Sequence, residues 1–369
     1  MGQGVEIKKI KDICDKASSN IAQNKITELE GDYPVFGASG FVQNVDFYHR
    51  DTDYIGVVKD GSGVGRVNVY PAYSSLLGTL QYILPKEGYA LNYVAYALKS
   101  LNLAEYASGA AIPHIYFKDY GEETIPVPPR EEQERIVAEL DCLSGVIERK
   151  REQLKQLDAL AQSIFYQMFG SVDDNHNNFE VKSLSEVFSI IKDGTHQTPQ
   201  YTDDKENGIK FLSAKDVVSG TINWDNIKYI PKGLHLELHK RVAPQRNDIL
   251  LCKNGTYGIC ALNETDEVFD IYVSLALLRP NNICIPKYLV SAINNKCTKL
   301  QFDKSIKGIG VPNLHLSEIK RTNIIVPPLT LQQEFVDKIE AIEKQKELIK
   351  QSIPKTEELF NSRMDYYFN

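Results

Sequence analysis

Apolar residues recur at steps of three and four along two long stretches of the chain. The first stretch places them at Ile136, Leu140, Leu143, Ile147, Leu154 and Leu157. The second stretch places them at Phe335, Ile339, Ile342, Ile349 and Ile353. One lysine interrupts each series, Lys150 in the first and Lys346 in the second. This spacing predicts two long helices, each with one apolar seam that packs along another helix.

Both helices are predicted to start directly after a proline pair, Pro128-Pro129 and Pro327-Pro328, because proline stops a helix arriving from upstream. Each helix would run for about 40 residues, or roughly 60 Å. We expect the seam lysines to lie near carboxylates or water, because an unpaired buried ammonium costs several kcal/mol. Pro354 removes one helical hydrogen bond and is expected to kink the second helix.

The second helical stretch repeats the first. Residues 324–369 lie over residues 125–170 at a constant shift of 199 without a gap, and Gln332 falls on Gln133. This match argues against two unrelated surface helices. We expect the two copies to form an antiparallel coiled coil with one domain at each end and a pseudo-twofold internal repeat, because parallel packing would crowd both domains together.

Short β-rich runs separated by Gly, Asn, Asp and Pro turns fill the rest of the chain. The predicted strands are residues 54–58, 80–84, 210–213, 248–251 and 269–278, and the predicted short helices are residues 91–99 and 286–294. The opening phrase at residues 5–13 returns in similar form at residues 179–187. The pattern favours an α+β fold in which two globular domains, 1–128 and 171–327, alternate with two helical regions, 129–170 and 328–369.

Charge and cysteine content narrow the class of protein. The formal net charge of -7 argues against an indiscriminate polyanion binder, and even residues 171–327 carry 19 basic against 18 acidic residues. A nucleic-acid surface must therefore be a local patch made by folding. The 6 cysteines form no CxxC pair, and the sequence contains no run of about 18 apolar residues. We expect a cytoplasmic protein with reduced thiols and no membrane contact.

A glycine turn recurs at the end of a predicted strand in both domains. Lys59-Asp60-Gly61-Ser62 occupies this place in the first domain, and Lys253-Asn254-Gly255-Thr256 occupies it in the second. A turn of this kind offers a flexible cation and backbone N–H groups that can bind phosphate oxygens. An ordinary hairpin turn explains each loop equally well, and the sequence leaves both interpretations open.

A third repeat joins each domain to its helix. Residues 107–115, with Pro113 and His114, lie on residues 306–314, with Pro312 and Asn313, at nearly the same shift. Together with the duplicated Pro-Pro helices, this pattern resembles the specificity (S) subunit of type I restriction-modification systems. The phrases Asp-Gly-Thr-His-Gln-Thr-Pro at 193–199 and Phe-Leu-Ser-Ala-Lys-Asp at 211–216 are similar to phrases of that family's target recognition domains.

The resemblance implies that residues 1–128 and 171–327 are target recognition domains and that 129–170 and 328–369 are conserved helical regions. The expected partners are double-stranded DNA and two DNA methyltransferase subunits, with restriction subunits in systems that cut DNA. S-adenosylmethionine is expected on the methyltransferase subunits, so this chain would hold no cofactor, no metal and no catalytic residue. The candidate DNA contacts are Lys59, Ser62, Arg66, Thr195, His196, Lys215, Lys253, Asn254 and Thr256.

The two domains differ almost everywhere between their repeated parts, so the expected DNA target is split and asymmetric. Placing both domains on one face of the duplex puts the half-site centres about one turn, roughly 34–36 Å, apart. Hydrogen-bonding side chains would read base edges, whereas lysines on phosphates would set only the register.

The sequence disfavours two alternative functions and leaves a third open. A DNA amino-methyltransferase is disfavoured because Val127 and Val326 precede the proline pairs where that chemistry needs Asn or Asp. A metal enzyme is disfavoured because His235 and His239 have i, i+4 spacing but show no third ligand in the sequence, so a solvated helix or loop is preferred there. A coiled-coil scaffold, or the specificity subunit of a methyltransferase-only system, stays as the alternative.

Overall fold

The computed structural model describes residues 4–109, 112–218, 220–306 and 312–369. The chain forms two compact units, one of residues 1–152 and 349–369 and the other of residues 153–348. Each long helix is therefore divided between the units. The repeat at 107–115 and 306–314 lies partly outside the described residues, because residues 110–111 and 307–311 belong to the gaps.

The first unit is built on short strands and small helices. Its strands are β1 (Glu6–Lys9), β2 (Cys14–Ser18), β3 (Tyr33–Gly37), β4 (Gly40–Val45), β5 (Tyr54–Val58), β6 (Val67–Tyr70), β7 (Ser75–Leu76), β8 (Leu80–Pro85) and β9 (Thr124–Val127). Its helices are α1 (Ile10–Ile13), α2 (Leu91–Ser100), α3 (Phe117–Tyr120) and the first part of α4 (Arg130–Phe169). Among the described residues, β2-β8-β5-β6 form an antiparallel sheet, β4-β3-β7 form a mixed sheet and β1 pairs with β9.

The second unit repeats this plan. Its strands are β10 (Glu180–Ser183), β11 (Phe188–Asp193), β12 (Ile209–Leu212), β13 (Val217–Val218), β14 (Thr221–Ile222), β15 (Lys228–Ile230), β16 (Ile249–Cys252), β17 (Cys260–Leu262), β18 (Phe269–Ile271), β19 (Leu275–Pro280) and β20 (Asn323–Val326). Its helices are α5 (Leu184–Val187), α6 (Lys232–Arg241), α7 (Pro286–Asn294), α8 (Lys296–Ser305), α9 (Leu316–Arg321) and the first part of α10 (Leu329–Phe368). In the described residues, β11-β19-β16-β17, β15-β12-β18 and β10-β20 reproduce the three pairings of the first unit.

Most of the predicted short elements are present. The opening phrase is a strand followed by one helical turn in both units, and residues 54–58 and 286–294 match β5 and α7. The prediction of one strand over residues 269–278 is wrong, because β18 and β19 belong to different sheets. Tyr272, Val273 and Ser274 separate the two strands, and the Leu275 N–H donates to the Tyr272 carbonyl to close a turn.

The long helices begin where the proline pairs predict, at Arg130 and Leu329, and each spans 40 residues. The helix α10 continues through Pro354, and the kink expected there stays a prediction. All eleven predicted seam residues are buried or half-buried: Ile136, Leu140, Leu143, Ile147, Leu154, Leu157, Phe335, Ile339, Ile342, Ile349 and Ile353. None of the helices in the described part of the chain has both the length and the apolar character needed to cross a membrane.

Within the first unit, the start of α4 packs on the end of α10. Ile136 and Leu140 share an apolar cluster with Met364 and Phe368. The Arg363 guanidinium binds the Glu139 carboxylate, and the Lys150 ammonium donates to the Thr356 hydroxyl at 2.8 Å. Residues later in α4 contact residues earlier in α10, so these two segments run antiparallel.

Within the second unit, the end of α4 packs on the start of α10. Phe165 and Phe169 lie edge to face with Phe335, at ring-centroid distances of 5.4 Å. The Lys346 ammonium lies 2.7 Å from the Asp158 carboxylate, as the buried lysine requires. Burial alone would lower the pKa of Lys346, but the hydrogen bonds to Asp158 and Glu343 outweigh it and leave that pKa raised.

A buried glutamine ties each long helix to its domain. The Gln133 side chain accepts from the Ala90 N–H at 2.8 Å and donates to the Pro128 carbonyl at 2.9 Å. The Gln332 side chain accepts from the Ile285 N–H and donates to the Pro327 carbonyl, both at 2.8 Å. Since Ala90 and Ile285 are the N-caps of α2 and α7, each glutamine satisfies one of the free N–H groups at a helix start. We call this pair of contacts the glutamine clamp.

Candidate nucleic-acid interface

In each unit, the glycine turn and the segment that begins at Pro113 or Pro312 form one backbone structure. In the first unit, the Gly61 N–H donates to the Pro113 carbonyl at 3.0 Å, and the Ile115 N–H donates to the Lys59 carbonyl at 3.0 Å. The sequence shows the glycine turn and the proline segment as separate repeats, and the structure brings them together. Gly61 has φ +89 with open space beyond its Cα, so the backbone conformation is what favours glycine.

The second unit forms the same backbone structure. The Gly255 N–H donates to the Pro312 carbonyl at 3.0 Å, and the Leu314 N–H donates to the Lys253 carbonyl at 2.7 Å. Gly255 has φ +70, also with open space beyond its Cα. The loop is therefore a shared element of the fold, and its side chains are free to differ.

In the first unit the loop side chains form a half-buried charged group. The Lys59 ammonium lies 2.6 Å from the Asp60 carboxylate, which also contacts the His114 ring. Burial would raise the pKa of Asp60, but the hydrogen bonds from Lys59 and His114 outweigh it and hold that pKa below its usual value. Ser62 and Arg66 are exposed beside this group and can reach a ligand.

In the second unit a different group surrounds the same loop. The Lys253 ammonium, only 7% exposed, lies 3.1 Å from the buried Asp193 carboxylate. Asp193 also accepts from Arg241 at 2.8 Å and lies 3.1 Å from His196 Nε2. Burial would raise the pKa of Asp193, but Lys253, His196 and Arg241 outweigh it, so that pKa is lowered. The prediction that Lys253 is a flexible cation is wrong, because its charge is held by a carboxylate in the interior.

Three of the predicted contact residues line one surface pocket of about 530 Å³ in the second unit. These are His196, Lys253 and Asn254, and the opposite wall is formed by residues 313 and 315–317. The Asn254 Oδ1 atom is buried and, within the described residues, has no hydrogen-bond partner. The wall of the pocket therefore contains a buried amide oxygen without a partner in the described part of the chain, and an exposed histidine lines the same pocket.

The remaining candidates of the second unit lie around this pocket. Thr195 precedes His196, and its hydroxyl accepts from the Gln197 N–H at 3.3 Å. Thr256 is exposed in the glycine turn. Lys215 is exposed on a 3-10 helix, Ala214–Asp216. This helix is fixed near the loop through Ser274, whose carbonyl accepts from the Lys253 N–H and whose hydroxyl oxygen accepts from the Ala214 N–H.

Sequence reasoning missed two members of this group, Asp193 and Arg241. Asp193 could have been found, since it opens the Asp-Gly-Thr-His phrase that contains two predicted contacts. Arg241 could not, because it lies 48 residues further along the chain and no local pattern connects it to the loop.

Comparison with known proteins decides the family. The family model "Type I restriction modification DNA specificity domain" matches residues 2–159 and 176–358. The chain belongs to this family. DNA target recognition is the role of the type I specificity family. Each matched segment contains one recognition unit's loops, its proline pair and most of one long helix.

Two relatives from Methanocaldococcus jannaschii resemble this type I specificity chain along most of its length. The specificity subunit of the type I restriction enzyme MjaVIII is 24% identical, over 86% of this chain and 80% of the relative. The specificity subunit of MjaIX is 23% identical, over 89% and 84%. The solved S subunit of the type I system of M. genitalium matches 99% of this chain and 96% of its own with a TM-score of 0.62 at 16% identity, which shows the shared fold.

Proposed function

We propose that this specificity subunit reads a bipartite, asymmetric target in double-stranded DNA, with one half of the target read by each unit. The observation that carries the proposal is the repeated loop with unlike side chains. The same backbone structure holds Ser62 at the surface of the first unit and Thr256 at the surface of the second. The exposed groups around it differ, with Arg66 in the first unit and His196 and Lys215 in the second. Different hydrogen-bonding groups on one frame read different base edges.

We further propose that α4 and α10 pack antiparallel as a coiled coil along their length, with the recognition domains at its two ends. The antiparallel contacts inside each unit support this arrangement. In it, the seam residues face the partner helix and set the distance between the two half-sites. We expect half-site centres about one turn of DNA, roughly 34–36 Å, apart.

The exposed side of the long helices is the proposed docking surface for two DNA methyltransferase subunits. Leu160 and Leu359 are related by the same shift of 199 and are 47% and 50% exposed. Equivalent surfaces on a duplicated frame suit two copies of one partner. The methyltransferase subunits would carry S-adenosylmethionine, so this chain contributes recognition and no catalysis. Restriction subunits would join in systems that cut DNA, and the complex would act in the cytoplasm.

The test of the split target is a domain exchange. Residues 188–305 are replaced by the equivalent domain of a relative, the complex is assembled with its methyltransferase subunits, and methylated sites are mapped across a genome. One half of the recognition sequence should change while the other half and the spacer stay fixed. A change in both halves, or in neither, contradicts one half-site per unit.

The test of docking uses single exposed positions. Leu160→Lys or Leu359→Lys should each lower the number of bound methyltransferase subunits from two to one, measured by analytical ultracentrifugation. Gln156→Lys, at another exposed position of α4, is the matched control and should keep both. If the leucine variants bind two subunits with unchanged affinity, the docking surface lies elsewhere. The chain purified alone should neither methylate nor cut DNA.

A further inference from the structure

Helix α6 carries two histidines one turn apart, and both face the same carboxylate. His235 Nδ1 lies 2.7 Å from one oxygen of Asp270, and His239 Nδ1 lies 3.3 Å from the other. The ring centroids of the two histidines are 4.7 Å apart. The ligand atoms of the three residues all lie within 4.8 Å of one another. The sequence shows the histidine spacing, but Asp270 lies on β18 and only the fold brings it to α6.

The carboxylate in this group is completely buried. Asp270 is 0% exposed and is the middle residue of β18, whose three residues are all buried. A carboxylate in such surroundings needs a cation or hydrogen-bond donors close to both of its oxygens. The solvated helix expected here is present, because α6 has no buried residue. His235 is 14% exposed, and His239 keeps a third of its side-chain surface open to solvent.

We propose that His235, His239 and Asp270 bind one zinc ion, with a water molecule as the fourth ligand on the open side of His239. Two imidazole nitrogens and one carboxylate oxygen form a ligand set that zinc accepts, and zinc sites with three protein ligands keep one position for water. Ligand atoms placed roughly 2.0–2.2 Å from zinc in a tetrahedron stand a little over 3 Å apart. The 3.3 Å contact of His239 already has this spacing, whereas the 2.7 Å contact of His235 must lengthen when the ion binds.

The site lacks the group that would make it hydrolytic. In helical zinc proteases, a glutamate directly after the first histidine acts as general base. Here Leu236 occupies that place, and Glu237 is exposed one residue further on. The ion would therefore anchor α6 to the mixed sheet. Because α6 ends at Arg241, which binds Asp193, the anchor also fixes one side of the candidate interface.

Direct metal titration tests the proposal without reference to DNA. The full-length chain, free of any affinity tag, is stripped with a chelator, dialysed and titrated with Zn²⁺ by calorimetry, followed by metal analysis after gel filtration. We expect one ion per chain and a higher Tm for the loaded protein. Co²⁺ in place of Zn²⁺ should give the visible absorption of a four-coordinate site without the thiolate charge-transfer band that cysteines such as the exposed Cys142 would add.

Variants assign the ion to these residues. His239→Ala should weaken zinc binding by more than about 100-fold, since losing an outer-shell partner alone typically weakens binding 10–100-fold. Glu237→Gln on the same helix and His114→Ala, which removes a single histidine–aspartate pair in the other unit, are the matched controls and should retain the ion. Failure of the wild-type chain to bind zinc, or retention of the ion by His239→Ala, overturns the proposal, and circular dichroism verifies that each variant is folded.

Discussion

The loop after β5 and the loop after β16 have the same backbone and opposite side-chain arrangements. In the first unit, Lys59 pairs with its half-buried sequence neighbour Asp60. In the second, Lys253 points inward to Asp193, 60 residues away, and His196 and Arg241 complete the charged group. The backbone hydrogen bonds of the loop are the same in both units, whereas the charged side chains around it differ. A duplicated frame can therefore present two chemically different surfaces without changing its loop.

The interiors of the two antiparallel sheets differ in the same manner. Five residues before the loop lysine, the first unit has Tyr54 and the second has Asp248, both buried. In β8 and β19, the strands that pair with β5 and β16, the next-to-last residue is Leu84 in the first unit and Arg279 in the second. Arg279 binds Asp248 through two hydrogen bonds of 2.8 and 2.7 Å. An apolar contact in one unit is thus an ion pair in the other.

The largest expected effect comes from giving the second unit the side chain of the first. Arg279→Leu leaves the Asp248 carboxylate buried with the Gln245 N–H as its remaining hydrogen-bond partner among the residues that the structure describes. Breaking such a buried pair costs about 3–5 kcal/mol. Urea unfolding of the second unit should show this loss. The double variant Asp248→Asn, Arg279→Leu should recover part of it, because no unpaired charge remains; equal stability of single and double variants would contradict the argument.

Substitutions in the glutamine clamp test whether this shared contact stabilises both units equally. Gln133→Ala should destabilise the first unit and Gln332→Ala the second, each by about 1–3 kcal/mol, because a buried N–H and a carbonyl lose their partner. Thermal unfolding followed by hydrogen exchange assigns each loss to its unit. Exposed Gln156→Ala on α4 serves as the control with no measurable change. Strongly unequal losses of stability in the two variants would show that the glutamine clamp does not stabilise both units to the same extent.

The loop lysines should respond differently to the same substitution. Lys253→Ala removes one of three side-chain partners from a buried carboxylate and should cost roughly 1–3 kcal/mol. Lys59→Ala removes a partly exposed pair, for which about 0–1 kcal/mol is typical. Denaturant midpoints of the two variants measure the difference, and an equal effect would remove the contrast between the loops.

The smallest effect is expected at the turn glycines. Gly61→Ala and Gly255→Ala each place a Cβ in open space but force an L residue into positive φ, which costs about 1 kcal/mol. The two losses should be similar, since the turns share one backbone structure. Differential scanning fluorimetry can compare them, with exposed Gly233→Ala, inside α6 and at an ordinary φ, as a substitution that should be neutral or stabilising.

Periodic features were predictable from the sequence, and contacts between distant segments were not. The helical seams and the helix starts follow from spacing and proline, which act locally. The break between β18 and β19 was missed because the apolar run continues on both sides of the turn at Tyr272. The partners of Lys253 and of the two α6 histidines were missed because Asp193 and Asp270 lie 60 and at least 31 residues away.

The four short hydrogen bonds of the glutamine clamp all go to main-chain atoms. Gln133 meets the N–H of Ala90 and the carbonyl of Pro128, and Gln332 meets the N–H of Ile285 and the carbonyl of Pro327. Gln332 Nε2 makes in addition a longer contact of 3.9 Å with the Cys284 Sγ. A foreign domain that offers a helix start at that place can be joined through the same main-chain atoms, so the joint is compatible with inheritance of new domains by recombination at the proline pairs.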